Sequence, residues 1–140
     1  MDRSKKNMSE NFILSWTASP RSAARIGGML SNPDWASVEE KLDQSVRLGG
    51  TVTLDFEDEN GCSRSLQVRG ENGRFIVTFG MEVDGDWIVR AYKNAMVGSQ
   101  DVEILGDIWN SRLVCTEKPI VFAIFSDFFE TGSVSKTLMP

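Results

Sequence analysis

The side chains able to do chemistry in this chain are mainly acids. The run Asp55-Phe56-Glu57-Asp58-Glu59-Asn60-Gly61 carries four carboxylates in seven positions, and a second group, Glu82, Asp84 and Asp86, runs directly into Trp87. Carboxylates this dense can hold calcium, work as an acid–base pair, or present charge to a basic partner. Calcium fails on spacing. An EF-hand loop with its glycine at Gly61 would begin at Phe56, which has no ligating atom, and end at Gln67 where a bidentate Glu is needed. Glycosidase chemistry needs two carboxyl groups held about 5–10 Å apart across a cleft. The acids here flank turn residues instead, which places them in solvent.

The remaining inventory narrows the classes further. The 140 residues include no histidine, so there is no Ser-His or Cys-His nucleophile pair and no imidazole base or metal ligand. The two cysteines, Cys62 and Cys115, form no CxxC pair and cannot make an all-cysteine zinc site. Neither a G-x-x-x-x-G-K-[ST] nor a G-x-G-x-x-G phosphate cradle occurs. The reading is a non-enzymatic protein with no catalytic residue, metal or cofactor. A formal charge of −5 argues against direct binding of nucleic acid, which requires clustered Lys and Arg. No apolar run reaches the roughly 20 residues of a bilayer span. The apolar stretch from Phe12 to Trp16 is short for a signal-peptide core. The expected location is therefore the cytoplasm, with no membrane partner.

The elements that position the acids follow from hydrophobic period. Residues 1–10 read as a disordered leader, and 11–140 as one domain of ordinary size. Phe12 to Thr17 is a strand candidate, and Pro20 to Met29 is ambiguous, with Ser22 to Ile26 able to make a helical turn before Gly27-Gly28 breaks it. Asn32-Pro33-Asp34 opens a helix with Asn32 as the cap, and Trp35, Val38, Leu42 and Val46 form its apolar stripe. Four alternating strands follow around 51–56, 65–69, 74–79 and 86–92, separated by the turn signals Asn60-Gly61, Asn72-Gly73 and Asp84-Gly85. Val102 to Leu105 reads as a fifth sheet strand. A second helix opens at Thr116, with Pro119 in its first turn, and carries Ile120, Ala123, Ile124, Phe125, Phe128 and Phe129 up to Gly132. Val134 to Leu138 reads as a last short strand. The fold class is thus α+β: an antiparallel meander of about five to six strands with two main helices on one face. Thr51, Thr53, Asp55, Gln67, Thr78 and Arg90 are assigned to the other, polar face.

Charge is not spread evenly over these elements. From Asp55 to Asp107 there are 11 acids and 5 bases, a net −6, so the strand region carries the whole excess. In a meander the first and third turns lie at one end of the sheet. Glu57, Asp58 and Glu59 should therefore neighbour Glu82, Asp84 and Asp86 and form one negative edge, with Trp87 as an aromatic anchor beside it.

The stretch Val102-Glu103-Ile104-Leu105-Gly106-Asp107, then Val114-Cys115, then a helix ending Phe128-Phe129-Glu130-Thr131-Gly132-Ser133-Val134-Ser135, resembles the small bacterial immunity proteins of polymorphic-toxin systems, in particular the first numbered immunity family and its uncharacterised relatives. The resemblance implies an α+β fold and a protein that binds and neutralises a cognate toxin in the cytoplasm of the producing cell. The partner expected is then a toxin domain, and the charge of the acidic edge points to a basic one, such as a nuclease. The alternative is a small adaptor or chaperone that uses Phe122, Phe125, Phe128 and Phe129 as its surface.

Overall fold

Alternation places Val52, Leu54 and Phe56, then Leu66 and Val68, then Phe75, Val77 and Phe79 on one buried face of the strands. In the computed structural model, which describes residues 11–18 and 26–139, these strands pair into the expected antiparallel sheet. The elements are β1 (Phe12–Ala18), β2 (Ile26–Ser31), α1 (Trp35–Leu48), β3 (Gly50–Glu57), β4 (Ser63–Glu71), β5 (Arg74–Val83), β6 (Asp86–Ala91), β7 (Asp101–Ile104), β8 (Asp107–Asn110), β9 (Val114–Cys115) and α2 (Lys118–Thr131). The main sheet runs β2-β1-β3-β4-β5-β6, and β9 pairs with β5 beyond the end of β6. The fold class is α+β, as expected. The proposed leader at 1–10 and positions 20–25 of the ambiguous segment lie outside the described residues, and its remainder, Ile26 to Met29, is strand β2.

The helices cover one sheet face. Val38 and Leu42 of α1, and Val121, Ile124, Phe125 and Phe128 of α2, are fully buried against Phe12, Leu14, Val52, Leu54, Leu66, Val77 and Phe79. Val121 replaces Ala123 on the inward stripe of α2; Ala123 faces solvent. Asp34, not Asn32, caps α1: its Oδ1 accepts the Ser37 N–H at 2.8 Å, while Asn32 sits at φ +56° in the turn before it. Hydrogen bonding of the Asp34 carboxylate to Ser37 holds its pKa below the ordinary value. At α2 the cap position is Glu117, one residue after the expected Thr116, and its side chain makes no capping bond.

Three further expectations are corrected. Val102 to Leu105 does not join the main sheet. Asp101–Ile104 pairs with Asp107–Asn110 as a separate hairpin, whose Ile104 buries against Ile76 and Val114 on the sheet face away from the helices. Arg69 Nη1 meets Asp107 at 3.0 Å and the Leu105 N–H donates to Glu71 Oε1 at 3.1 Å, which pins that hairpin across the sheet. Val134 to Leu138 makes turns, not a strand, and buries Val134 and Met139 as plugs at the rim of the core. Arg90 faces the helix side, over the Phe79 ring at 5.3 Å, and donates to the carbonyls of Val134 and Met139 at 2.9 and 3.0 Å. Its register with Phe79 decides this: paired residues share a face.

Asp43 ties the two helices together. Its carboxylate accepts from Arg47 Nε at 3.0 Å and Lys118 Nζ at 3.3 Å, and hydrogen bonding to Arg47 and then Lys118 pulls its pKa below the ordinary value. A depressed carboxylate stabilises the fold above its unfolded pKa, and this contribution fades as pH falls through the folded value. Urea midpoints of the wild type and Asp43→Asn should accordingly differ at neutral pH and converge under acid, with most of the change on the wild-type curve. Both cysteines are free thiols. Cys115 is buried, and burial raises its pKa; Cys62 is half-buried in the β3–β4 turn.

Candidate functional site

The candidate site is built by strand register at the end of the sheet holding the first and third meander turns. Glu57 pairs with Ser63, Arg64 with Met81, and Glu82 with Trp87. One step along that ladder, Glu57, Ser63, Glu82 and Trp87 form a row across four strands on the face away from the helices. Only β4 separates Glu57 on β3 from Glu82 on β5, so their backbones stand about 10 Å apart. Of the six acids expected at one edge, Glu57 and Glu82 share this row with Trp87. Asp55, two residues before Glu57, lies on the same face in the next row, with Ile13, Ser65 and Gly80 beside it.

A depression of about 540 Å³ crosses this end of the sheet, lined among others by Ile13, Asp55, Glu57, Glu59, Arg64 and Trp87. Trp87 is 53% exposed, unlike a core tryptophan. Its position depends on Gly80: a Cβ built there would lie 2.4 Å from Trp87 Cζ2. The missing side chain lets the indole lie diagonally over β5. Because the blocking atom belongs to an exposed ring that can swing away, Gly80→Ala should leave the fold intact and turn Trp87 out to solvent. A red shift and stronger acrylamide quenching of tryptophan emission would show it; unchanged quenching would contradict it.

The nominated residues do not all serve alike. Glu57, Glu59, Glu82 and Asp84 are exposed and free to meet a partner. Asp58 is a turn builder. Its Oδ1 accepts the N–H groups of Asn60 and Cys62, both at 2.9 Å, while Gly61 at φ +77° closes the loop. Asp86 pairs with Val83, and alternation directs its side chain to the helix side of the sheet edge. Asp55, Ile13 and Arg64 were missed as site residues. Asp55 carried a signal, since alternation already placed it on the polar face. Arg64 carried none: its guanidinium lies 5.9 Å from the Phe56 ring and donates to the Gly132 carbonyl at the C-terminus of α2, a contact 68 positions away. Among the described residues, no group of three or more Cys, Asp or Glu side chains is arranged to hold a metal ion, and no helix is long and apolar enough to cross a membrane.

The geometry sets an acidic rim and an aromatic plane around a broad, open floor. No curated protein matches the chain in sequence. A crystal structure of a hypothetical protein from Neisseria gonorrhoeae is similar in fold, with a TM-score of 0.72 over 93% of this chain and 94% of that chain at 20% identity. The model of a family of unknown function, DUF6911, matches residues 15–138, nearly the full length, and the chain belongs to that family.

Proposed function

We propose that this chain is an immunity-type protein that binds and neutralises a cognate toxin domain in the cytoplasm of the producing cell. The observation that carries the reading is the cross-strand row of Glu57, Glu82 and Trp87 above an open depression. Rim carboxylates of like sign steer a basic surface into place, and a half-exposed tryptophan over a glycine supplies contact area at little entropic cost. Many surfaces that act on nucleic acid are basic, and an acidic rim competes with the substrate's phosphates for them. Occlusion of the toxin's active site needs no catalysis by the inhibitor. Phe125 and Phe128 are fully buried and Phe122 and Phe129 pack against the same core, which supports this reading over an adaptor that binds through them.

The test is calorimetry with the toxin domain encoded beside this chain. Reversing Glu57, Glu59, Glu82 and Asp84 to lysine should weaken binding about 100-fold or more. The wild-type affinity should fall with added salt, since exposed charges are screened beyond about 8 Å at physiological ionic strength. Unchanged affinity in a folded quadruple variant would remove this face from the interaction. Asp58 is left intact because its loss would open the turn.

A further inference from the structure

The main sheet ends at β2 and at β6, both exposed, and the β6 edge carries a charge pattern that β2 lacks. Trp87, Ile88 and Val89 are 53, 47 and 57% exposed, on both faces of one strand. The Tyr92 N–H donates to the Val77 carbonyl at 2.9 Å, which fixes the phase of the β5–β6 ladder. Antiparallel pairs alternate between hydrogen-bonded and non-hydrogen-bonded rungs. With Phe79 opposite Arg90, Met81 opposite Ile88 and Val83 opposite Asp86, those three β6 residues point their main-chain groups at β5. Trp87, Val89 and Ala91 point theirs out of the sheet. Edge strands in monomeric proteins are blunted by proline, a bulge or charged side chains, lysine above all; the two charges of β6, Asp86 and Arg90, are of opposite sign. Asp86–Ala91 contains no proline and no lysine, and its register with β5 is unbroken.

We propose that a second copy of this chain pairs with β6, antiparallel, about a two-fold axis at Ile88. Charge selects both the occupant and the register. The strand starts with Asp86 and carries Arg90 near its end, so an antiparallel copy of itself sets acid against base twice. The outward main-chain groups lie on odd-numbered residues, so the central two-fold registers are centred on Trp87, Ile88 or Val89. Centring on Ile88 places Asp86 opposite Arg90, Ile88 opposite Ile88, and Trp87 opposite Val89 with reciprocal main-chain hydrogen bonds. Centring on Trp87 brings the two Asp86 carboxylates into diagonal contact, and centring on Val89 leaves Arg90 facing Ile88.

Arg90 supports the same choice. It holds two tail carbonyls, yet no carboxylate of the described residues lies within ion-pair distance of it. Asp86 of a second copy supplies that charge in the closer, non-hydrogen-bonded type of rung, about 4.5 Å between Cα atoms. The Trp87 indole leans inward over Gly80, so it leaves the strand's outer backbone uncovered. The inference stands apart from the toxin reading, because the chain alone suffices to test it.

Sedimentation equilibrium of the full chain should show a mass rising with concentration toward twice 15.6 kDa. Amide exchange at Trp87, Val89 and Ala91 should slow in parallel. Ile88→Lys puts two ammonium groups on the axis, and Asp86→Arg sets arginine against Arg90; each should weaken association at least about tenfold. Val89→Pro removes an outward N–H without touching the β5 ladder, and keeps the test open if a charged variant misfolds. A chain that stays monomeric at all concentrations overturns the proposal. So does a dimer that survives these changes while the three edge amides still exchange freely.

Discussion

Phe128→Ala lowers the free energy of unfolding by about 3–5 kcal/mol. Phe128 is fully buried, and its ring meets three others: Phe12 at 5.3 Å, Phe79 at 5.4 Å and Phe56 at 6.3 Å, each near edge-on. Those rings come from β1, β5 and β3, so truncation opens a cavity that no single element can move to fill. Edge-to-face geometry adds about 0.5–1.5 kcal/mol per pair beyond area burial. The effect reaches the candidate site as well. Phe12 and Phe56 line the depression, and the turn of α2 that carries Phe128 leads to Gly132, where Arg64 is anchored. Urea unfolding measures the loss; Phe128→Leu, which restores most of the volume, should lose markedly less. A change below about 1 kcal/mol for the alanine variant would mean that the four-ring cluster does not close the core.

Gly50→Ala is expected to cost about 3 kcal/mol or more. Gly50 lies where the chain leaves α1 and enters β3, at φ +155°, and an added Cβ would stand 2.0 Å from the Thr17 carbonyl oxygen. That atom is backbone of β1, the neighbouring strand, and relief requires parting β1 from β3. The contrast with Gly80 is instructive. There the obstacle is the end of an exposed side chain, so the same substitution moves a tryptophan and spares the fold. Thermal melting of the two alanine variants side by side separates the cases: a large drop for Gly50 and a small one for Gly80. Equal drops would show that Trp87 is wedged, not resting.

The meander was legible because its determinants are local. Alternation through Val52, Leu54 and Phe56 selects a face, and Asn72-Gly73 and Asp84-Gly85 accept the positive φ values (+53°, +76°, +51° and +84°) that two-residue hairpins need. The turn Leu105-Gly106 has the same conformation at +52° and +86°, but leucine gives no such signal. Period alone therefore shows one strand here and leaves its hairpin partner without a signal. Arg90 was misplaced for a related reason. Its side depends on a register that counts from the Asp84-Gly85 turn, and polarity suggested the wrong face. Val134 and Leu138 look extended in isolation; only the carbonyls taken by Arg90 and the burial of Met139 show the tail as a closure of the core.

By itself the sequence determined that histidine-dependent chemistry is absent, that the negative excess belongs to the strands, and that two acidic turns share an end of the sheet. Each is a matter of counting or of period. Tertiary structure decided which carboxylates are free. Asp58 is held by its own turn, Glu71 and Asp107 secure a hairpin, and Asp86 faces the other side, while Glu57, Glu59, Glu82 and Asp84 stand open. A carboxylate's partners come from strands and turns that folding brings beside it, and those neighbours are set by register and packing across the whole chain.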